Sequence, residues 1–195
     1  MLKDLAFLVV GTVLVNNFVF ARFLGQCPFL GVSSKLETSI GMGMATTFVL
    51  TMTAVAAYFI QYYILEPFGL SAFLQIVSFI LVIASLVQLV EMIVLKISPT
   101  MYNAFGIYLP LITTNCIVLA VALLIPQKGY NFIESIVFGL SAGLGFTLAL
   151  ILMAGIREDL EFADVPEALR GPAIVFLTAG LLAMIFLGFT GLVPL

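Results

Sequence analysis

The stretch Phe23-Leu-Gly-Gln-Cys-Pro-Phe-Leu-Gly31 interrupts a long apolar run with two glycines, a proline and a cysteine. A second interruption, Leu109-Pro-Leu-Ile-Thr-Thr-Asn-Cys116, carries the other cysteine of the chain. Irregular backbone inside hydrocarbon is tolerated only where protein buries it or where it lines a cavity. Cys27 and Cys116 therefore stand at two predicted helix breaks and are candidate ligands.

The composition around these stretches indicates an integral membrane protein. Of the 195 residues, 63% are hydrophobic and 9% are charged, and the mean hydropathy is +1.28. A membrane-spanning helix needs roughly 20 mostly apolar residues. We predict an all-α fold with six spans, at 5–24, 38–63, 70–95, 101–125, 132–155 and 172–192. No room is left for a soluble domain, so residues 1–195 are predicted to form a single membrane domain.

The absence of histidine excludes several kinds of site. Histidine is the commonest metal ligand and the usual switch near neutral pH, and it ligates haem in many proteins. This chain contains none. Its two cysteines are too few for a disulfide framework and do not form a Cys-x-x-Cys pair. A metal site with thiolate ligands would therefore have to use these two cysteines.

The chain resembles itself at an offset of 98 residues. Nine identities fall within positions 6–56, including Asn17 with Asn115, Pro28 with Pro126, and two pairs of glycines. Each half, 1–97 and 98–195, holds three predicted helices, and an odd number makes the second half enter from the opposite side. This pattern predicts two inverted repeats, a plan whose sites lie on broken helices near the bilayer midplane. The alternative is that these identities arise by chance, because the chain consists of few residue types.

Lysine and arginine set the expected orientation, because cytoplasmic loops carry an excess of both. If the N-terminus lies outside, five basic residues are cytoplasmic and two are external. The cytoplasmic ones are Arg22, Lys35, Lys96, Arg157 and Arg170, and the external ones are Lys3 and Lys128. We therefore predict that both termini lie outside.

Both cysteines are predicted to start helical segments. Proline favours the first turn of a helix, and Pro28 follows Cys27. Asn115, a residue type that caps helices, precedes Cys116. A helix N-terminus favours a thiolate. The two cysteines are not copies of each other, since the 98-residue offset pairs Cys27 with Ile125. For them to meet, the first and fourth helices have to be broken, and we expect Asn17, Pro28, Pro110 and Asn115 to support those breaks.

Three roles for the cysteines stay open from the residues alone. A buried free cysteine behaves as a small hydrophobe, and a disulfide would staple the two halves together. The third role is ligation of an iron–sulfur cluster, which needs four thiolates when all ligands are cysteine. Because this chain supplies two, a partner chain has to supply two more. A pseudo-symmetric partner of the same fold, inserted the other way up, would do so.

Several motifs resemble the A subunit of the Rnf ion-translocating oxidoreductases, within the family that also includes the E subunits of Rnf and of the sodium-pumping NADH:quinone reductase. The two cysteine motifs are closer to the Rnf version. The resemblance covers essentially the whole chain and is carried by Val10-Gly-Thr-Val-Leu-Val-Asn-Asn-Phe-Val19, Phe23–Ser33, Lys35-Leu-Glu-Thr-Ser-Ile-Gly-Met-Gly-Met-Ala45, Leu109–Cys116, Gly155-Ile-Arg-Glu158 and Asp164-Val-Pro-Glu-Ala-Leu-Arg-Gly171.

The resemblance implies one component of a translocase, which is not catalytic alone. Such complexes lie in the bacterial inner membrane and couple electron transfer between ferredoxin and NAD to Na⁺ or H⁺ translocation. The resemblance also implies a [2Fe-2S] cluster held by Cys27, Cys116 and two cysteines of the homologous E subunit, which has the opposite topology. Electrons would pass from the B subunit to the G subunit, with C and D completing the complex. Beyond these subunits only membrane lipid is expected as a partner, and no nucleic acid.

The remaining polar residues give weaker indications. Glu91 lies within the predicted span 70–95, and an intramembrane carboxylate often marks an ion path; the alternative is that it reaches water at the cytoplasmic end of its helix. Residues 157–170 are predicted to form a solvated cytoplasmic loop. Two other functions stay open for the chain: a cofactor-free secondary transporter with its substrate at the broken helices, and a purely structural assembly subunit.

Overall fold

The computed structural model describes residues 2–66, 71–97, 111–112, 114–166, 169 and 171–189. Within these ranges the chain is helical and contains no strand, which confirms the all-α prediction for the described residues. The α-helices are α1 Leu2–Val10, α2 Phe18–Arg22, α3 Gln26–Val32, α4 Leu36–Ile60, α5 Ser71–Ile97, α6 Cys116–Lys128, α7 Phe132–Glu161 and α8 Pro172–Leu187. Two π-helical turns, Gly11–Val15 and Gln61–Leu65, extend α1 and α4.

The first predicted span, 5–24, is broken as expected. The π-helical turn after α1 ends at Asn16, whose backbone leaves the helical region with φ −107° and ψ 48°. The next segment, α2, ends after five residues at Phe23, which adopts a left-handed conformation with φ 53°. A positive φ is uncommon for a residue with a side chain. The chain thus turns sharply before α3 begins.

The fourth predicted span, 101–125, is also broken within its described part. Residues 111–112 are helical, Thr114 and Asn115 are not, and α6 begins at Cys116. Residues 101–110 of this span, including Pro110, lie outside the described residues. Both predicted spans are therefore interrupted, the first at Asn16–Asn17 and Phe23–Gly25 and the second at Thr114–Asn115.

Two helices in the described ranges are long and apolar enough to cross a membrane, Leu36–Leu65 and Phe132–Glu161, each of 30 residues. They correspond to the predicted spans 38–63 and 132–155. Large apolar side chains are exposed on their outer faces and on those of α5 and α8, among them Met44, Phe48, Leu81 and Met184. An extended apolar surface of this kind suits lipid or protein partners.

The core forms where α4 and α7 cross. A Cβ atom added to Gly43 would lie 2.6 Å from Thr147 Cγ2, and one added to Gly143 would lie 2.6 Å from the Cα atom of Thr47. The two threonine Oγ1 atoms are 3.3 Å apart. Small residues let membrane helices approach closely, and each threonine hydroxyl donates to the carbonyl four residues earlier in its own helix, at Gly43 and Gly143.

The contacts at this crossing are reciprocal and antiparallel. Residue 43 meets residue 147 while residue 47 meets residue 143, a pattern that a local two-fold axis produces. The corresponding residues are 100 positions apart, whereas Asn17 and Asn115 are 98 apart. Gly139 packs against Leu50 and Ala54, and its equivalence with Gly41 at offset 98 stays a prediction.

The cytoplasmic loop predicted from residue 157 begins later than expected. The helix α7 continues to Glu161, and side chains in its last turns form hydrogen bonds with the connection between α3 and α4. Arg157 Nη1 donates to Leu30 O and to Ser33 Oγ, each at 3.0 Å. Leu36 N–H donates to Glu158 Oε1 at 2.9 Å. Residues 157 and 158 are thus half-buried helix-capping groups, and their interpretation as solvated loop residues is wrong.

We expect Gly143→Ala to destabilise the protein because the new Cβ would collide with the backbone of α4. Overpacking of this kind costs about 1–3 kcal/mol. Gly155→Ala in the same helix is the matched control, since a Cβ there meets nothing within 4 Å, and it should be neutral or stabilising by up to about 1 kcal/mol. Melting temperature in detergent, followed by size-exclusion chromatography after heating, measures both variants. Equal melting temperatures would show that the crossing tolerates more separation than we infer.

Candidate functional site

Cys116 occupies the first position of α6, and Asn115 caps that helix. The Asn115 side chain accepts a hydrogen bond from Ile117 N–H at 3.2 Å, and its backbone is extended, with φ −73° and ψ 119°. The first break repeats this arrangement: Asn17 caps α2, accepts from Val19 N–H at 3.0 Å and has φ −58° and ψ 123°. The pairing of these two asparagines at offset 98 is therefore reflected in their conformation.

Cys27 lies in the first turn of α3, as predicted. Gly25 precedes this helix with φ 76° and ψ 24°, and its carbonyl accepts the first helical hydrogen bond, from Phe29 N–H at 3.2 Å. Pro28 also falls in the first turn, where a missing N–H removes no helical bond. Pro28 and Phe29 are buried while Cys27 is exposed, so the helix is anchored with its thiol at the surface.

One hydrogen bond brings the two cysteine segments together. The backbone N–H of Gly25 donates to Cys116 Sγ at 3.3 Å, across 91 residues of sequence. Cys27 is two residues further along the same turn. Both cysteines are free and exposed, which contradicts their interpretation as buried small hydrophobes. The disulfide considered from the sequence is not formed in this structure.

The turn that carries Cys27 packs tightly over α6 and α7. A Cβ atom on Gly25 would lie 2.6 Å from Ile117 Cδ1 and 3.2 Å from Phe146 Cε2. Ile117 and Phe146 are almost completely buried, so neither can yield without disturbing the core. Residue 25 therefore favours glycine both for its positive φ and for its close approach to these side chains.

Asn17 ties the first break to α7. Its Nδ2 atom donates to Gly145 O at 2.8 Å and to Val13 O at 3.0 Å, and the residue is only 1% exposed. The equivalent Nδ2 atom of Asn115 is buried but has no hydrogen-bond partner in the described structure. Each break thus has an asparagine cap. The two asparagines differ in the hydrogen bonds of Nδ2, which has two acceptors in Asn17 and none in the described structure in Asn115.

The two thiols are soft donors. Thiolates select iron–sulfur clusters, copper(I) and zinc, and two exposed thiols on adjoining turns could act as a pair of ligands. Among the described residues, no group of three or more cysteine, aspartate or glutamate side chains lies together to bind a metal. The described part of the chain therefore offers two thiols as candidate ligands.

Two predicted site residues are not placed by the structure. Pro110 lies outside the described residues. Glu91 falls within α5, but its side chain also lies outside the described part, so its predicted role in an ion path stays a prediction. Conversely, sequence reasoning did not single out Gly145 and Phe146, because nothing in an apolar helix marks which carbonyl or ring will face a distant turn.

Comparison with known proteins places the chain in a defined group. Residues 5–193 match a family described as "Rnf-Nqr subunit, membrane protein". A protein of Syntrophotalea carbinolica, named as the A subunit of an ion-translocating oxidoreductase complex, is 57% identical over 193 residues, covering 99% of this chain and 100% of the relative. Proteins of the same name are 60% identical in Vibrio campbellii, covering 95% of this chain and 96% of the relative, and 58% identical in Vibrio cholerae, covering 96% and 97%.

We expect Asn17→Ala to destabilise the protein more than Asn115→Ala. Loss of a helix cap costs about 1 kcal/mol in both variants. Asn17→Ala also removes the two hydrogen bonds that Nδ2 donates to Gly145 O and Val13 O, which should bring its total to about 2–3 kcal/mol. Melting temperatures of the two variants in the same detergent test this difference. A larger loss for Asn115→Ala would mean that its amide has a partner which the described structure does not contain.

Proposed function

Because the chain belongs to the Rnf-Nqr family of membrane subunits, we propose that it serves as the A subunit of an ion-translocating oxidoreductase complex. Relatives with that name match this chain over nearly their full length. In this role the chain is part of a translocase in the bacterial inner membrane and is not catalytic alone. Electron transfer between ferredoxin and NAD would be coupled to movement of Na⁺ or H⁺ through the complex.

The contact between Gly25 and Cys116 supports a more specific proposal. It holds the turn bearing Cys27 against the start of α6, and both thiols are exposed. We propose that they provide two of the four cysteine ligands of a [2Fe-2S] cluster, and that the homologous E subunit provides the other two. Such a cluster, when bound, transfers one electron at a time.

The residues of this chain then have separate tasks. Cys27 and Cys116 present sulfur ligands, while Pro28 and Asn115 fix the first turns on which the two thiols stand. Asn17 anchors the first break to α7. Burial of Ile117 and Phe146 beneath the turn keeps the sulfur positions rigid. Two ligands on rigid helix starts suit a site that a second protein chain completes.

The partner's expected orientation follows from the inverted-repeat proposal. The reciprocal antiparallel crossing of α4 and α7 supports two inverted repeats, 1–97 and 98–195, in a six-helix fold. A homologous chain of opposite topology could then present its own pair of thiols to this one. The B and G subunits would carry electrons to and from this site, and the C and D subunits would complete the complex.

Two rival functions use the same geometry differently. A cofactor-free secondary transporter would bind its substrate at the breaks, where polar backbone is available. The described residues at the two breaks are neutral apart from Arg22 at the end of α2, so they provide no pair of opposite charges for a charged substrate. A purely structural component would need no exposed thiols at all. Iron content of the purified complex separates both rivals from the proposal.

We expect Cys27→Ser and Cys116→Ser each to remove one cluster from the membrane part of the complex and to stop electron transfer, because serine is a poor replacement for a soft thiolate. Iron, acid-labile sulfide and electron paramagnetic resonance spectra of the purified complex measure the loss. Ala120→Ser, half-buried in α6, adds a hydroxyl without removing a thiol and should leave the cluster intact. A complete cluster in either cysteine variant would contradict the proposed ligands.

If Glu91 lies on the ion route, Glu91→Gln should slow ion pumping or change its cation dependence while the iron–sulfur spectrum stays normal. Neutralisation removes a hard oxygen charge suited to Na⁺ or a proton and leaves soft thiolate ligands unchanged. The measurement is ion uptake by proteoliposomes relative to electron flux in the same sample. Glu37→Gln, which neutralises an exposed carboxylate at the start of α4, is the control. Equal pumping ratios in the two variants would remove Glu91 from the route.

With both termini outside, the turn after α7 should face the cytoplasm and the turn after α6 should face outward. In a background with both cysteines replaced, Phe162→Cys places a thiol at a site that is 92% exposed, and Lys128→Cys places one at an exposed site at the end of α6. A membrane-impermeant maleimide added to intact spheroplasts should label only the second thiol. Labelling of only Phe162→Cys would reverse the orientation, and that of the partner with it.

A further inference from the structure

We propose that the backbone N–H of Gly25 is a fixed hydrogen-bond donor to the Cys116 sulfur that raises the reduction potential of the cluster bound there. This inference rests on the proposed function, since it concerns the ligand sulfur rather than the presence of a thiol. It assigns a role to a backbone group that has no side chain and that no metal-ligand motif includes.

The donor is available because Gly25 precedes α3 rather than lying inside it. Its carbonyl accepts the first bond of the helix, from Phe29 N–H, whereas its own N–H points across to Cys116 Sγ at 3.3 Å. Gly25 itself is buried, so water does not readily replace sulfur as the acceptor. No described hydrogen bond reaches the Cys27 sulfur. The two ligands thus differ in their electrostatic surroundings.

The position of this N–H is fixed from two directions. The turn brings Gly25 into the left-handed region, with φ 76°, shortly after Phe23 at φ 53°. Contacts with Ile117 and Phe146 leave no space for a Cβ atom. A side chain at residue 25 would have to push the turn outward, which lengthens the distance from its N–H to the sulfur.

The direction of the effect follows from charge. Reduction adds one negative charge to a cluster and its thiolate ligands, and an N–H dipole aimed at a ligand sulfur stabilises that charge. Hydrogen bonds to the sulfurs are among the factors that set iron–sulfur potentials, and outer groups of this kind tune metal sites generally. Loss of the Gly25 bond should therefore lower the potential and make reduction harder.

The test compares three variants of the intact complex by redox titration monitored with electron paramagnetic resonance. Gly25→Ala should retain iron and sulfide while the equilibrium constant for reduction falls about tenfold, which is about 59 mV for a one-electron couple. Gly31→Ala is the matched control, because its Cβ meets nothing within 4 Å, and its potential should equal that of the parent. Adding Ile117→Val to Gly25→Ala removes the clashing Cδ1 atom and should restore part of the shift.

A second kind of variant covers the case in which Gly25→Ala does not assemble. Replacing Gly25 by glycolic acid through nonsense suppression changes the amide to an ester, which deletes the N–H without adding a Cβ. The same fall in potential supports the proposal. An unchanged potential in either variant, with the cluster intact, overturns it. Absence of iron from the parent complex, or an intact cluster in Cys116→Ser, would instead contradict the proposed ligands.

Discussion

The close antiparallel crossing of α4 and α7 is the constraint on which the remaining structure depends. Helices in a bilayer gain little from the hydrophobic effect when they associate, so close packing and hydrogen bonds have to hold them together. Gly143 lets α7 touch the backbone of α4. Within the same turn of α7, the Gly145 carbonyl accepts a hydrogen bond from the Asn17 amide and Phe146 packs against Gly25. One short segment of α7 therefore fixes the crossing, the first break and the turn that carries the first thiol.

The two breaks show how a repeated plan is adapted to one site. Asn17 and Asn115 cap their helices in the same way, and the residue that follows each of them is Phe18 in one half and Cys116 in the other. Phe18 is 4% exposed and belongs to the core, whereas Cys116 is exposed. The same helix start thus serves packing in one half and presents a ligand in the other. The other thiol, Cys27, comes from a different position in its half, in the first turn of α3.

The charged end of α7 shows where composition misled. Arg157 and Glu158 follow a long apolar run, and charges at that point are typical of a loop leaving the membrane. They instead continue the helix and satisfy backbone groups at the end of α3 and the start of α4. Helix ends leave carbonyl and N–H groups without intrahelical partners, and a distant side chain can satisfy them. Nothing in the local sequence indicates such a partner, because the two ends are more than 120 residues apart.

The sequence by itself determined the helical class, the membrane environment, both breaks and the helix starts on which the two thiols stand. These properties depend on local preferences: apolar runs for spans, asparagine for caps, glycine and proline for interruptions. Only the tertiary structure decided that the Gly25 turn contacts Cys116 and that Asn17 reaches Gly145. It also decided that the equivalent residues at the crossing of α4 and α7 are 100 positions apart, whereas the two capping asparagines are 98 apart. Those contacts depend on the length and rotation of whole helices. A mostly apolar sequence gives little indication of which helix face packs against which neighbouring helix.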